Sequence, residues 1–182
     1  MLELNFRPFP TLTTERLILR EVSKNDVSDL FLLRSSVKAM QYIDRPIAKS
    51  EQEIKSFIKL IRKNTKNNET ICWAITMKDA PALFGTISFH RIEKENYRAE
   101  LGYMLLPDYW NKGIISEAIE KVIAYGFNSM NLHSIEANIN PNNSVSRKVL
   151  EKFKFKKEAY FKENYFFNGR FLDTEIFSLL RA

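Results

Sequence analysis

This chain of 182 residues carries only one cysteine, Cys72, and two histidines. A lone cysteine excludes an internal disulfide and fits a reducing compartment. So few thiols and imidazoles argue against a dedicated zinc site, and no metal is assigned. No apolar run approaches the roughly 20 residues that a bilayer-crossing helix needs, so no membrane partner is expected. The opening Met1-Leu2-Glu3-Leu4-Asn5-Phe6 has no basic stretch followed by an apolar one. No signal peptide is therefore read there, and a cytoplasmic location is expected. The glycine-rich dinucleotide fingerprint and the Walker phosphate loop are both missing. Repeats, low-complexity tracts and linkers are missing too, which leaves one domain over residues 1–182.

Hydrophobic residues make up 45% of the chain, enough for a sizeable core. The formal net charge of +6 attracts anions in general. Phosphorylated cofactors, nucleic acid and acidic protein surfaces all qualify, and charge alone does not choose among them.

Periodicity orders the elements. Glu15–Val22 reads as a strand, and Ser23 with Asp26 forms a capping-type start for a short helix through Val27, Leu30 and Phe31. Ser50 and Glu53 make a second capping box, ahead of a helix with Ile54, Phe57, Ile58 and Ile61 on one face. Strands follow at Ile71–Met77, Leu83–Glu93 and Tyr97–Leu106. The third is apolar on both faces, the mark of a central strand covered on both sides. A long helix after Gly113 carries Ile115, Ala118, Ile119, Val122, Ile123, Gly126, Phe127 and Met130. Ser134–Ile139 is a short strand, and Asn143 caps a helix with an inner stripe of Ser146, Val149, Leu150 and Phe153. Two strands, about 155–167 and 171–180, end the chain around an Asn168-Gly169 hairpin turn. The order implies an α/β fold: a mixed sheet of about seven strands flanked by about four helices.

Two segments carry chemistry. In Leu105–Ala118 a buried strand runs through a short loop into the long helix. The first turn of such a helix offers unpaired N–H groups and the positive end of the dipole, a natural pyrophosphate site. Gly113 lets backbone approach phosphate, and Lys112 adds charge. A plain strand–helix junction with a turn glycine would read the same way. In Asn138–Phe153, Ser146 interrupts an apolar stripe, so its hydroxyl points inward and needs a partner. That partner is either a backbone carbonyl three or four residues back or a ligand in the cleft beside the long helix.

Together these segments resemble the GNAT superfamily of N-acetyltransferases, in the branch containing ribosomal-protein-alanine N-acetyltransferases. The resemblance begins at Thr14-Glu15-Arg16-Leu17-Ile18-Leu19-Arg20 and continues through Gly85-Thr86-Ile87 and Glu100-Leu101-Gly102-Tyr103. It takes in Tyr109-Trp110-Asn111-Lys112-Gly113 with Glu117-Ala118, and ends at Asn143–Lys152. It implies transfer of an acetyl group from acetyl-CoA to a primary amine by direct attack, with no metal. It also implies that the strand Glu100–Leu106 carries a bulge that splays it from Ser134–Ile139. The pantetheine arm then pairs with backbone at Tyr103, Met104 and Leu105. The pyrophosphate rests on the amides of Asn111, Lys112, Gly113, Ile114, Ile115 and Ser116. Asn138, Asn143 and Ser146 face the pantetheine and the thioester. Three positions depart from the family pattern. Asn111 and Ile115 stand where small residues are usual, and Lys154 replaces the glycine that ends the helix, which suggests a strained backbone there.

An amine attacks a thioester only when neutral, so a base is needed. Glu100 is the candidate, acting through a water, because burial raises a carboxyl pKa toward a useful range. Its bland alternative is an ion pair with Arg98 or Arg16 that braces the sheet. Backbone N–H groups near Met104 would hold the oxyanion. Ser146 is the first candidate to protonate or hydrogen-bond the leaving thiolate, and Tyr109 the second. Cys72 reads as core, and His90 and His133 as strand-end residues. Arg147, Lys148, Lys152, Lys154, Lys156 and Lys157 read as a solvated face, part of which could meet the ribose phosphate. The acceptor is a protein N-terminal amine or a small-molecule amine. A non-catalytic acyl-CoA-binding module and a nucleic-acid-binding protein are the competing classes, the latter without a recognition signature. A homodimer is the default for such an enzyme.

Overall fold

A computed structural model describes residues 1–181. Eight strands form one sheet in the order β1-β2-β3-β4-β5-β6-β8-β7. They are β1 (Leu12–Thr13), β2 (Leu17–Glu21), β3 (Ile71–Met77), β4 (Gly85–Glu93), β5 (Arg98–Leu105), β6 (Ser134–Ile139), β7 (Lys156–Phe167) and β8 (Arg170–Leu180). The helices are α1 (Val27–Ser35), α2 (Val37–Met40), α3 (Glu51–Lys66), α4 (Ile114–Asn128) and α5 (Ser144–Lys152). The sequence reading lacked β1 and α2, whose two and four residues are too short to leave a period.

Local chemistry sets the element ends. Ser23 and Asp26 form the reciprocal box, although the chain enters α1 through a single 3-10 turn, Lys24–Asp26. Ser50 Oγ accepts the Glu53 N–H at 3.3 Å, while the Glu53 carboxylate reaches back to the Lys49 N–H at 3.0 Å. Asn143 Oδ1 accepts the Ser146 N–H at 3.0 Å and starts α5. Helix α5 ends on Lys154 at φ 64, with the Phe155 N–H on the Leu150 carbonyl and the Lys154 N–H on the Glu151 carbonyl. This is the left-handed helix stop that glycine usually supplies, here held by lysine. Asn168 and Gly169, at φ 49 and 81, turn the last hairpin between Phe167 and Arg170.

Each face of the sheet has its own core. Leu17, Leu19, Trp73, Ile75, Ile87, Phe89 and Leu101 pack under α4 and α5 through Ala118, Val122 and Leu150. Val22, Cys72 and Ala74 pack under α1 and α3 through Leu30, Leu33, Ile54 and Ile58. Strand β5 serves both, with Ala99, Leu101 and Leu105 in the first cluster and Met104 against the second. Gly126 brings α4 close over β4: a Cβ there would meet the Phe89 ring at 2.9 Å.

The feature that makes a site is the parting of β5 from β6. The two strands are parallel and pair only at Arg98↔Ser134, Ala99↔Ile135 and Glu100↔Glu136. Beyond that point β6 stays with β8 as far as Ile139↔Glu175, while β5 stays with β4 in unbroken register from Glu100 to Leu105. The edge of β5 at Leu101–Leu105 is therefore open. The bulge expected within Glu100–Leu106 falls elsewhere. It lies in β4, between His90 and Glu93, with Arg91 at φ 46. A bulge bends and over-twists its strand, and this one sits beside the fork.

Candidate active site

The loop before α4 presents its backbone outward. Asn111 (φ 58) and Gly113 (φ 74) both take left-handed conformations, which asparagine and glycine tolerate best. No backbone N–H from Asn111 to Ser116 has an acceptor among the described residues; the first helical bond is Glu117 N–H to the Gly113 carbonyl at 3.1 Å. Six consecutive free donors at the positive end of a 15-residue helix form an anion cradle. Arg16 braces it. Its guanidinium donates to the Lys112 carbonyl at 3.1 Å and to Glu117 Oε2 at 2.7 Å. Glu117 also accepts the Arg16 backbone N–H at 2.8 Å. Burial pushes the Glu117 carboxyl up, but the bonds from Thr14 and Arg16 and the Arg16 charge hold it below its usual range.

A cavity of about 270 Å³ runs from this cradle along the open edge of β5. Of the residues expected to hold a cofactor, Tyr103, Met104, Leu105, Asn111, Gly113, Ile114, Ile115, Ser116, Asn143 and Ser146 line it. Ile115 walls the space without closing it. Lys112 contributes backbone only; its ammonium lies over the Tyr109 ring, 5.8 Å from the centroid. The Leu105 carbonyl is already taken by the Trp110 indole N–H at 3.0 Å.

A second cavity, of about 590 Å³, lies on the α1/α3 side of the sheet over β3, β4, β5 and β6. It shares Tyr42, Ile43, Tyr103, Met104, Asn143 and Ser146 with the first. The two spaces meet at a hydrogen bond between Tyr103 and Ser146, whose hydroxyl oxygens are 2.7 Å apart. The Ser146 hydroxyl thus meets a side chain and not the backbone carbonyl that was one of its two expected partners. Burial pushes the Tyr103 phenol up to about 12, against the pull of the Ser146 bond, so it holds its proton at neutral pH.

Glu100 lines the larger cavity and is buried, yet its environment differs from expectation. Oε1 lies 3.2 Å from His90 Nε2, and Oε2 accepts from the Arg91 guanidinium at 2.8 Å. Burial does push the carboxyl up, but contact with His90, the His90 and Arg91 charges and the Asn138 amide together hold it below its usual range. The expectation of a raised pKa is thus overturned, because the partners outweigh desolvation. Those partners are not the Arg98 or Arg16 foreseen. Arg98 binds Glu93 at 2.7 Å and lies 3.6 Å from Glu136.

His90 is no strand-end residue. It sits within β4 directly across from Glu100. A Cβ at Gly102 would lie 2.8 Å from His90 Cε1 and 3.3 Å from Nδ1, so the missing side chain makes room for the imidazole. Asn138, expected beside the cofactor, lines the larger cavity instead. Its Nδ2 donates to Glu136 at 3.2 Å, and its buried Oδ1 has no donor. An orphan acceptor beside two carboxylates is complementary to an amine.

Tyr109 is stacked on Phe84, centroids 4.0 Å apart at 8°, and lines only the smaller cavity. The basic run is not all solvated. Arg147 and Lys157 clamp the buried Glu175 at 2.8 and 2.6 Å, which removes both as free phosphate ligands. Cys72 is buried, and desolvation pushes its thiol up to about 12, against nucleophilic use. Among the described residues no three His, Cys, Asp or Glu side chains group closely enough to hold a metal ion. No helix among them is long and apolar enough to cross a membrane.

A mixed sheet forked beside a helix start with free amides offers a slot with an anion site at its end. Comparison with known proteins makes this specific. The acetyltransferase (GNAT) domain matches residues 16–156. The uncharacterized N-acetyltransferase YoaA of Bacillus subtilis is 33% identical over 173 residues, 95% of this chain and 98% of that one. The uncharacterized N-acetyltransferase p20 of Bacillus licheniformis is 35% identical over 171 residues, 94% and 96% of the two chains. The crystal structure of a GNAT-family acetyltransferase from Bacillus anthracis superposes with a TM-score of 0.82 at 29% identity, over 94% of this chain and 98% of that one. The chain belongs to the GNAT acetyltransferase family and is an N-acetyltransferase that uses acetyl-CoA.

Proposed function

We propose that the protein acetylates a primary amine by direct attack on acetyl-CoA, with the diphosphate on the Asn111–Ser116 amides and the amine in the larger cavity. The observation that carries this reading is the junction of the two cavities at Tyr103 and Ser146. A thioester threaded past the open edge of β5 reaches that junction from one side and the amine from the other.

Asn138 Oδ1 and the Glu136 carboxylate orient the amine. The His90–Glu100 pair takes its proton: Glu100 fixes Nε2, and Nδ1 over Gly102 is the accepting atom. The amine nitrogen then bonds to the thioester carbonyl carbon, and free N–H groups on the open edge near Met104 receive the oxyanion. When the C–S bond breaks, the nitrogen sheds its second proton and the Ser146 hydroxyl relays it to the leaving sulfur, so that coenzyme A departs as the thiol and the hydroxyl is restored, with Tyr103 holding Ser146 in place. Tyr109 serves the cofactor wall and not the proton. The width of the acceptor cavity suits a peptide N-terminus or an extended small amine. The lone cysteine, buried and reduced, suits a cytoplasmic setting.

A thiol-release assay with acetyl-CoA and a panel of peptides and small amines tests the reading. The expected result is amine-dependent release of coenzyme A. Tight binding of coenzyme A with no release across the panel would instead favour a non-catalytic binding module.

A further inference from the structure

Arg34, on α1, projects into the larger cavity without an anionic partner. Its guanidinium lies over the Phe57 ring, 4.4 Å from the centroid, and shares the cavity wall with Arg45, Tyr42 and Cys72. Among the described residues no carboxylate lies within salt-bridge distance of it and none accepts a hydrogen bond from it; the ion pairs are made by other arginines. Arg91, in the same cavity, is matched by Glu100. A half-buried arginine facing a polar cavity keeps its charge at a cost unless an anion arrives. Burial and the neighbouring Arg45 both pull its pKa down, the sign of a charge short of compensation.

The register fixes where this charge lies relative to the amine site. Cys72 pairs with Ser88, and Ser88 with Gly102, in one line across β3, β4 and β5. Arg34 stands over the Cys72 end of that line. Glu100 lies two residues from Gly102 along β5. Two strand spacings combined with two residues of rise give a diagonal of about 12 Å. Glu100, Glu136 and the orphan Asn138 acceptor gather at one end, Arg34 stands at the other, and the further carboxylate of the cavity, Asp44, is matched by Arg45 and Arg170 and not by Arg34.

We propose, resting on the transferase reading above, that Arg34 receives an anionic group of the acceptor, a carboxylate or phosphate about 10 Å from the reacting amine. The acceptor is then an elongated amine that carries negative charge, and not a polycation. The planar fork of arginine, steadied by stacking on Phe57, suits two-point recognition of either anion. A second positive charge on the acceptor would meet Arg34 and be repelled.

The test compares kcat/KM for acetyl transfer to three straight-chain acceptors of similar length: an eight-carbon ω-amino acid, a six-carbon ω-amino-alkyl phosphate and the eight-carbon diamine. At least one anionic acceptor is expected to exceed the diamine by about tenfold or more, a difference of about 1.4 kcal/mol. The ranking of carboxylate and phosphate identifies the group. Arg34→Met is expected to erase that preference and Arg34→Lys to keep part of it. Binding of coenzyme A to each variant confirms the fold. Equal or better use of the diamine by the wild-type enzyme overturns the inference whatever the variants do. Transfer to no amine at all would overturn the transferase reading itself.

Discussion

Arg16 and Glu117, 101 residues apart in the chain, close a ring of hydrogen bonds that ties the entry to β2 to the first turn of α4. The same guanidinium also donates to the Lys112 carbonyl, which holds the loop before α4 with its amides outward.

The first prediction follows from that ring. Arg16→Ala frees the Lys112 carbonyl and leaves Glu117 without its main partner. The loss of charge-assisted bonds of about 1.5–3 kcal/mol each, discounted for the exposure of Arg16, should raise the KM for acetyl-CoA roughly tenfold. The kcat at saturating acetyl-CoA should change much less. An unchanged KM would show that the loop holds its shape without the brace.

The hydroxyl pair at the cavity junction gives the second. Ser146→Ala should lower kcat by about 10²-fold, the low end for loss of a positioned acid, while calorimetry finds coenzyme A bound within about twofold of wild type. Tyr103→Phe leaves Ser146 in place and should lower kcat by less. Full activity in Ser146→Ala would remove the hydroxyl from the mechanism.

Glu100 supplies the third. Its carboxyl is held below the ordinary 4.5, so its ionised form is lost only as the pH falls through that lowered value. Glu100→Gln should cut kcat by about 10²-fold and leave acetyl-CoA affinity intact. His90→Gln should lower kcat by a similar factor. Wild-type-like turnover in Glu100→Gln would remove the carboxylate from the mechanism.

Stability against acid is the fourth. Glu175 is buried; burial pushes its carboxyl up, but the bonds and charges of Lys157 and Arg147 hold it below 4.5. A depressed carboxyl stabilises the fold above its unfolded value, and that contribution is lost as the pH falls through the folded one. Melting temperature should therefore drop steeply below about pH 4.5. Glu175→Gln should cost about 2 kcal/mol at neutral pH, roughly 6 °C for a chain of this length, and should shallow the acid drop. Parallel acid curves for the two proteins would count against the clamp.

The contrast between what was legible in the sequence and what was not follows the range of the signals. Ser23, Ser50, Asn143 and Asn168-Gly169 announce element ends within four residues of themselves, and each held. The long apolar faces of α3 and α4 repeat often enough to be read. Pairings across the sheet are another matter. His90 opposite Glu100 depends on the register of two strands joined by a bulged turn, which no local pattern encodes. Arg147 and Lys157 looked free because Glu175 lies 28 and 18 residues further on. Tyr103 meets Ser146 across 43 residues. The stretch from Arg34 to Phe57 reads in the sequence only as a variable region expected near the acceptor, and the unpaired charge of Arg34 is recognised only once its surroundings are known. At the two departures from the family pattern before α4, Asn111 adopts the left-handed turn and Ile115 lines the smaller cavity.

Three residue pairs are all that join β5 to β6, so the eight strands behave as two half-sheets sharing a short seam. A nucleotide-thioester laid along the unzipped portion would act as a staple between the halves. Folding and occupancy are then linked by mass action, worth about 2.7 kcal/mol at a hundredfold excess of ligand over its dissociation constant. The enzyme would thus owe part of its cohesion to the abundance of its own acyl donor.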